Sequence, residues 1–215
     1  SEEVEPRAGV VRLAGYLTVP EGAPQVVVFV HGSGSSRHSP RNRHVAGVLN
    51  DAGLGTLLFD LLTPEEERDR ANVFDIGLLA GRLVRVTRWL RAQPAAAQAA
   101  IGYFGASTGA AAALWAAAEP GAGIAAVVSR GGRPDLARPR LAAVTVPTLL
   151  IVGGQDEVVL DLNRRVRAEL RCENDLAVVP GATHLFEEPG TLDVAAGLAR
   201  DWFLSHLPHS PAVTG

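Results

Sequence analysis

The chain has 215 residues, 47% of them apolar, and a formal charge of −3 from 20 basic and 23 acidic side chains. That apolar share excludes a disordered chain, the near balance of charge leaves nothing for a nucleic acid to bind, and no apolar run approaches the roughly 18 residues of a membrane span. All 20 basic residues are arginine, which rules out lysine Schiff-base chemistry and a phosphate loop ending in GK[ST].

One cysteine, Cys172, cannot form an internal disulfide or a cysteine-rich metal site, and it reads as an inert residue between a helical pattern and a strand. A reducing, cytoplasmic setting follows as the expectation. The polar start SEEVEPRAG (1–9) shows no signal peptide and is expected to be loose, like the tail at 208–215. VVRLAGYLTV (10–19) predicts a strand entering a hairpin. QVVVFVHG (25–32) predicts a strand buried on both faces, since apolar residues follow one another without polar alternation. The Gly/Ser loop HGSGSS (31–36) and an arginine-rich segment come next. LGTLLFDLL (54–62) is a second buried strand, followed by the polar loop LTPEEERDRANVFD (61–74). Ile76, Leu79, Leu83, Val86 and Leu90 then step by three and four, the spacing of one helix face.

AAIGYFG (99–105), IAAVVSR (124–130), PTLLIVGG (147–154) and DLAVVPG (175–181) repeat the strand type. An alanine-rich helix follows the first of them. Leu162, Val166 and Leu170 mark another helix, and Leu198 and Trp202 anchor the last. Strand and helix alternate without a break, which predicts one α/β domain over 1–215, with a mostly parallel sheet of about seven or eight strands and helices on both faces. In such a sheet the functional loops follow the strands' C-terminal ends.

GYFGASTG places Ser107 between Gly105 and Gly109 at a strand-to-helix turn. The glycines leave room where side chains would collide, and the serine Oγ is pushed above the sheet, over a helix N-terminus that favours negative charge. A serine hydroxyl needs a base. Of the six histidines, His184 in PGATHLFEEPG follows a strand and precedes the last helix. His31 reads as a turn former, His38 and His44 as solvated or structural, and His206 and His209 lie near the tail. The base needs a carboxylate to hold its tautomer. Asp156, directly after the strand PTLLIVGG, is preferred to Glu157, which can open the next helix; Glu187 and Glu188 read as solvated or as pocket rim. Two amides should face the oxyanion of an acyl-transfer intermediate. Thr108 N–H is one, and Ser33 N–H, with Gly34 next, is the other.

VHGSGSSRHSPRN, GYFGASTG, SRGGRPDLA, LLIVGGQDEVV and the His184 loop occur in order. By these motifs, over residues 15 to 207, the chain resembles an α/β-hydrolase, and more narrowly the small dienelactone hydrolase-like group. The resemblance implies an α/β-hydrolase fold and a hydrolase using no metal or cofactor. Members that cleave dienelactone carry cysteine as nucleophile, so Ser107 turns the expectation toward a general serine esterase acting on small ester, lactone or thioester substrates. Many α/β-hydrolases insert a cap after the sixth strand. The segment following IAAVVSR is too short for one, which predicts an open site covered by the 61–74 loop.

Among the arginines near these loops, Arg37 and Arg130 are candidates to hold a substrate carboxylate. The preferred role for Arg130 is structural, paired to Asp135 or Asp60. A small molecule is the expected partner, with no nucleic acid or membrane, and the chain is read as a monomer or homodimer. Two rival readings are a non-catalytic binding protein on the same fold and an acyltransferase or carbon–carbon bond hydrolase using the same three residues.

Overall fold

Every residue of the strand β5 (Gln25–Val30) is buried, and its side chains divide between two cores. Val26, Val28 and Val30 join one, and Val27 and Phe29 the other. Successive side chains of a strand point to opposite faces, so a strand covered on both sides has no polar alternation to show. The structure is a computed structural model and describes residues 1–206; the tail at 208–215 and His209 lie outside the described residues.

The remaining elements follow in chain order. Four short strands precede β5: β1 (Glu2–Val4), β2 (Arg7–Ala8), β3 (Val11–Arg12) and β4 (Gly15–Thr18). After it come α1 (Pro40–Asp51), β6 (Gly55–Phe59), α2 (Pro64–Glu67), α3 (Arg70–Val73), α4 (Ile76–Arg91), β7 (Ala100–Ala106), α5 (Thr108–Ala117) and β8 (Ile124–Arg130). A 3-10 helix (Pro134–Ala143) leads to β9 (Thr148–Gly153), α6 (Glu157–Arg167), β10 (Asn174–Val179) and α7 (Thr191–His206). The main sheet has eight strands in the order β1-β4-β6-β5-β7-β8-β9-β10. β5 to β10 pair in parallel, while β1 and β4 run antiparallel at one edge. This is the mostly parallel sheet that the strand–helix alternation predicts, and the α/β-hydrolase fold that the resemblance implies. No helix among the described residues is long and apolar enough to cross a membrane.

Three expectations are corrected. Residues 1–9 are not a loose tail, because Glu2, Glu3 and Val4 pair with Leu17, Tyr16 and Gly15. An edge strand is held by its backbone and can keep polar side chains in water, so composition hides it. The 10–19 strand is broken: β3 pairs with β2 in a small separate hairpin, and Leu13 N–H donates to Pro6 O at 2.9 Å before β4 begins. In α7 the fully packed residues are Ala195, Ala196, Ala199 and Phe203, with Leu198 and Trp202 half-buried at the margin.

α5 is short of side-chain bulk and deeply buried, with Ala110 to Ala113 wholly inaccessible. Small residues let it lie close on the sheet, which aims its N-terminus at the C-terminal ends of β5, β7 and β8. α4 presents the predicted face, with Ile76, Leu79, Leu83, Val86 and Leu90 all buried. The 61–74 segment is not an open loop. It folds as α2 and α3, with Thr63 and Glu66 forming a capping box at the start of α2.

Candidate active site

Ser107 is the single residue between β7 and α5. Its backbone stands at φ 52°, ψ −123°, a region that costs an L-residue about 1–3 kcal/mol. Neighbouring backbone holds it there. Ser107 N–H donates to Arg130 O at 3.3 Å, and Ala110 N–H and Arg133 N–H both donate to Ser107 O at 3.1 Å. The hydroxyl does not cap α5, so Oγ stays available to the cavity above it. The flanking glycines are there for close approach. A Cβ on Gly105 would lie 2.5 Å from Ala110 Cα, and one on Gly109 would lie 2.1 Å from Val30 O.

Asp156 opens α6 without capping it. Its Oδ2 instead lies 2.7 Å from His184 Nδ1. A carboxylate only accepts, so in the neutral imidazole Nδ1 carries the hydrogen and Nε2 keeps its lone pair. The two loops are strapped together by backbone: Gln155 N–H donates to Ala182 O and Gly154 N–H to Val179 O, each at 2.9 Å. A Cβ on Gly153 would sit 2.3 Å from Ala182 O, so that glycine permits the approach. Glu188, expected as solvated or as rim, staples the His184 loop by accepting from Thr183 N–H at 2.8 Å and from the Thr183 hydroxyl. Those bonds hold its carboxyl below the usual carboxylate range.

Ser107 and His184 line one cavity of about 300 Å³, together with Ser33, Arg41, Asn42 and Arg130. Thr108 N–H begins α5 beside Ser107. The second expected oxyanion donor is differently engaged, since Ser33 N–H donates to Thr108 Oγ1 at 2.9 Å. The Thr108 hydroxyl, beside Ser107, takes this N–H, which sequence spacing does not reveal. Gly34 lines an adjoining cavity of about 280 Å³, walled by Leu61, Leu62, Val73 and Phe74. The α2–α3 segment therefore borders the site with Val73 and Phe74 set beside Glu67 and Arg70, and Leu61 and Leu62 precede it on the same wall.

Arg37 does not face the Ser107 cavity. Its guanidinium and its N–H both bond Asp60, at 2.5 and 2.7 Å, and it stacks on Tyr16. The structural pairing preferred for Arg130 is also not found: Arg37 occupies Asp60, and Arg133 bonds both oxygens of Asp135 at 3.0 and 2.9 Å. Arg130 is 6% exposed and opens onto the Ser107 cavity. His31 does more than form a turn. Its ring is buried, with Nδ1 2.8 Å from Gly32 O and Nε2 accepting from Leu61 N–H at 3.1 Å. Burial pushes its pKa below 6.5, although the Gly32 carbonyl pulls the other way.

Sequence reading missed Asn42 and Phe186. Phe186 stands at φ 55°, 3% exposed, under the guanidinium of Arg130 at 5.4 Å. No local pattern signals either, because only the fold brings α1 and the His184 loop to the end of β8.

Residues 13–203 match the Dienelactone hydrolase family. The chain belongs to that family. A dienelactone hydrolase of Anabaena variabilis is similar at 54% identity, with a TM-score of 0.93 over 96% of this chain and 99% of that one. Est1E of Butyrivibrio proteoclasticus shares the fold at 16% identity and a TM-score of 0.81, over 95% and 98%. Mycobacterium tuberculosis proteins named as candidate phosphoribosyl transferases are 66% identical over 206 residues, which is 96% of this chain and 46% of theirs. The chain thus spans about half the length of those curated relatives. The Butyrivibrio likeness shows the fold alone, while the family match and the Anabaena structure agree on the family.

Proposed function

We propose that the chain is a serine hydrolase of the carboxylesterase type, opening small ester, lactone or thioester bonds through an acyl-enzyme on Ser107. One observation carries the reading: a strained, uncapped serine shares a cavity with an imidazole tethered to a carboxylate at 2.7 Å. Strain of this kind persists only where the surroundings over-determine it, and here the backbones of Arg130, Ala110 and Arg133 do so.

His184 takes the Ser107 proton as Oγ attacks the acyl carbon, and Asp156 stabilises the imidazolium that forms. Thr108 N–H, at the positive end of α5, meets the oxyanion. For Ser33 N–H to join it, the Thr108 hydroxyl must turn away when substrate arrives. The proton then passes to the leaving alcohol or thiol, and water repeats the sequence to free the acid. The apolar wall of Leu61, Leu62, Val73 and Phe74 receives a hydrocarbon part of the substrate.

A fluorophosphonate probe tests the reading directly. Labelling of Ser107 in the folded protein, lost in Ser107→Ala together with hydrolysis of p-nitrophenyl esters, is the expected result. An unlabelled serine in folded protein would favour a binding protein instead. The name carried by the M. tuberculosis relatives describes proteins of which this chain spans under half, so phosphoribosyl transfer is not assigned to this chain.

A further inference from the structure

The reacting side chains sit on two separately bonded units. Main-chain bonds from Gln155 and Gly154 to Ala182 and Val179 strap the Asp156 loop to the His184 loop. Ser107 belongs to the other unit, which is tied to residues 130–133. Ser107 N–H donates to Arg130 O at 3.3 Å, and Arg133 N–H donates to Ser107 O at 3.1 Å. The same segment meets the imidazole. Gly131 stands at φ 54°, its N–H donates to Ile151 O at 2.7 Å, and a Cβ on it would lie 3.4 Å from both His184 Nδ1 and Cε1. Whatever fixes residues 130–133 against α6, the helix that Asp156 opens, therefore bears on how far Ser107 stands from its base.

Asn163 makes that tie. It lies two turns along α6 from Asp156, wholly buried, with Leu160 and Val166 on the inward face of the helix. Its Nδ2 donates to Gly132 O at 3.1 Å and to Val159 O, in its own helix, at 2.7 Å. Both amide hydrogens are thereby used. The reversed amide would set an oxygen against two carbonyls, which fixes the orientation. Oδ1 has no hydrogen-bond partner among the described residues. An unmatched buried acceptor is costly, and a leucine of the same shape would avoid it. What the amide supplies in return is its donor. Gly132 is closely confined as well. A Cβ there would lie 1.9 Å from Ser129 Oγ and 2.6 Å from Ala110 Cβ, so the segment is also pressed against β8 and α5.

We infer that Asn163 is a positioning residue for the hydrolytic reaction, pinning residues 130–133 to α6 and so setting the separation of Ser107 from the His184 ring. The inference rests on the serine hydrolase reading. Asn163 bonds Gly132 and Val159 rather than a reacting atom. It acts through Gly132 on the backbone that carries Ser107 and backs the ring. Proton transfer from serine to imidazole depends steeply on distance, and a displacement of about 1 Å can cost about 10²-fold. Acylation and deacylation both pass a proton through His184, so both depend on this spacing. A neutral amide does not titrate, so the tie is independent of pH.

Asn163→Leu keeps the shape and removes the donor. On p-nitrophenyl acetate and p-nitrophenyl hexanoate alike, kcat should fall by about 10- to 100-fold, with KM kept within about twofold. In a His184→Ala background the same substitution should cost less than about twofold of the residual hydrolysis, because the spacing it sets no longer matters. An unchanged kcat, a loss confined to KM, or an equal loss in both backgrounds would overturn the inference. Amide hydrogen exchange reads the tie without turnover. In Asn163→Leu the Ser107 and Arg133 amides should exchange about tenfold faster or more, while those of Leu150 and Val152 inside the sheet keep their rates. No local change there rejects the inference as well. Should Asn163→Leu fail to fold, Asn163→Ser gives the same readings, since a serine hydroxyl bonds back to its own helix. The two readings fail differently. If Ser107 never labels with fluorophosphonate although exchange at Ser107 and Arg133 quickens in the variant, the hydrolase reading is wrong and the tie is real. If Ser107 labels and exchange is unmoved, the hydrolase reading stands and Asn163 has no positioning role.

Discussion

The two sides of the cavity are built by different means. On the β7–β10 side, Ser107, Asp156 and His184 are positioned by backbone hydrogen bonds and by glycines at close approaches. On the β5–β6 side, the loops are held by side chains that titrate or pair: His31 to Leu61 N–H, Arg37 to Asp60, and Glu66 to both Arg82 and Thr63. Arg82 is 8% exposed and also donates to Leu61 O at 3.1 Å, so a buried guanidinium joins His31 in holding Leu61. Main-chain bonds do not titrate, whereas carboxylate and imidazole clamps do. The Ser107 turn, held by main chain alone, should therefore tolerate conditions that loosen the wall beside it, whereas the His184 loop also leans on the Glu188 carboxylate.

The largest effects should come from the backbone-built side. Ser107→Ala should lower kcat by about 10⁴-fold or more with the fold retained, measured by steady-state hydrolysis and circular dichroism. Ser107→Gly should be equally inactive yet more stable than Ser107→Ala by about 1–2 kcal/mol in denaturant unfolding, because glycine accepts a positive φ. Equal stability of the two would show that the turn stores no strain. Gly109→Ala, whose Cβ would fall 2.1 Å from a backbone oxygen, should give little folded protein or a greatly lowered Tm.

Side-chain clamps should give smaller and pH-dependent effects. Glu66→Gln should destabilise by about 2 kcal/mol, because it leaves the buried Arg82 short of a charged acceptor. The Arg82 hydrogen bond is the main reason the Glu66 carboxyl is held down at about 2. The pair's contribution is thus present above pH 4.5 and lost as pH falls from there toward 2, a loss Glu66→Gln should not show. His31 gives the smallest change. The folded chain resists its protonation while the unfolded chain accepts a proton near 6.5, so its contribution is full above that pH and shrinks as pH drops through 6.5 toward the lower folded value. Melting curves of the unmodified protein and His31→Gln over that range should converge as the pH falls; parallel curves would remove His31 as a clamp.

Much of this arrangement is visible in the chain before any coordinates. The buried strands announce themselves because a parallel sheet covered on both faces needs continuous apolar runs. Gly105 and Gly109 around Ser107 are legible because a tight strand-to-helix turn admits no side chain there. Edge strand β1 is not legible, since its stability lies in backbone pairing that leaves no mark on composition. The polar segment 61–74 misleads in the same way: Leu61 and Leu62 are buried, and Val73 and a half-exposed Phe74 line the adjoining cavity beside Glu67 and Arg70, while Glu66 pairs with Arg82.

Residue order alone determined the kind of sheet, the turn that carries Ser107 and the loops that carry Asp156 and His184, because periodicity and steric need are local properties of a chain. Only the tertiary structure decided which arginine keeps a carboxylate and which goes without, and whether the Ser33 amide is free. Those outcomes depend on which groups the fold brings within bonding distance. Asp60 is taken by Arg37 and Asp135 by Arg133, and Arg130 is left buried on the wall of the Ser107 cavity.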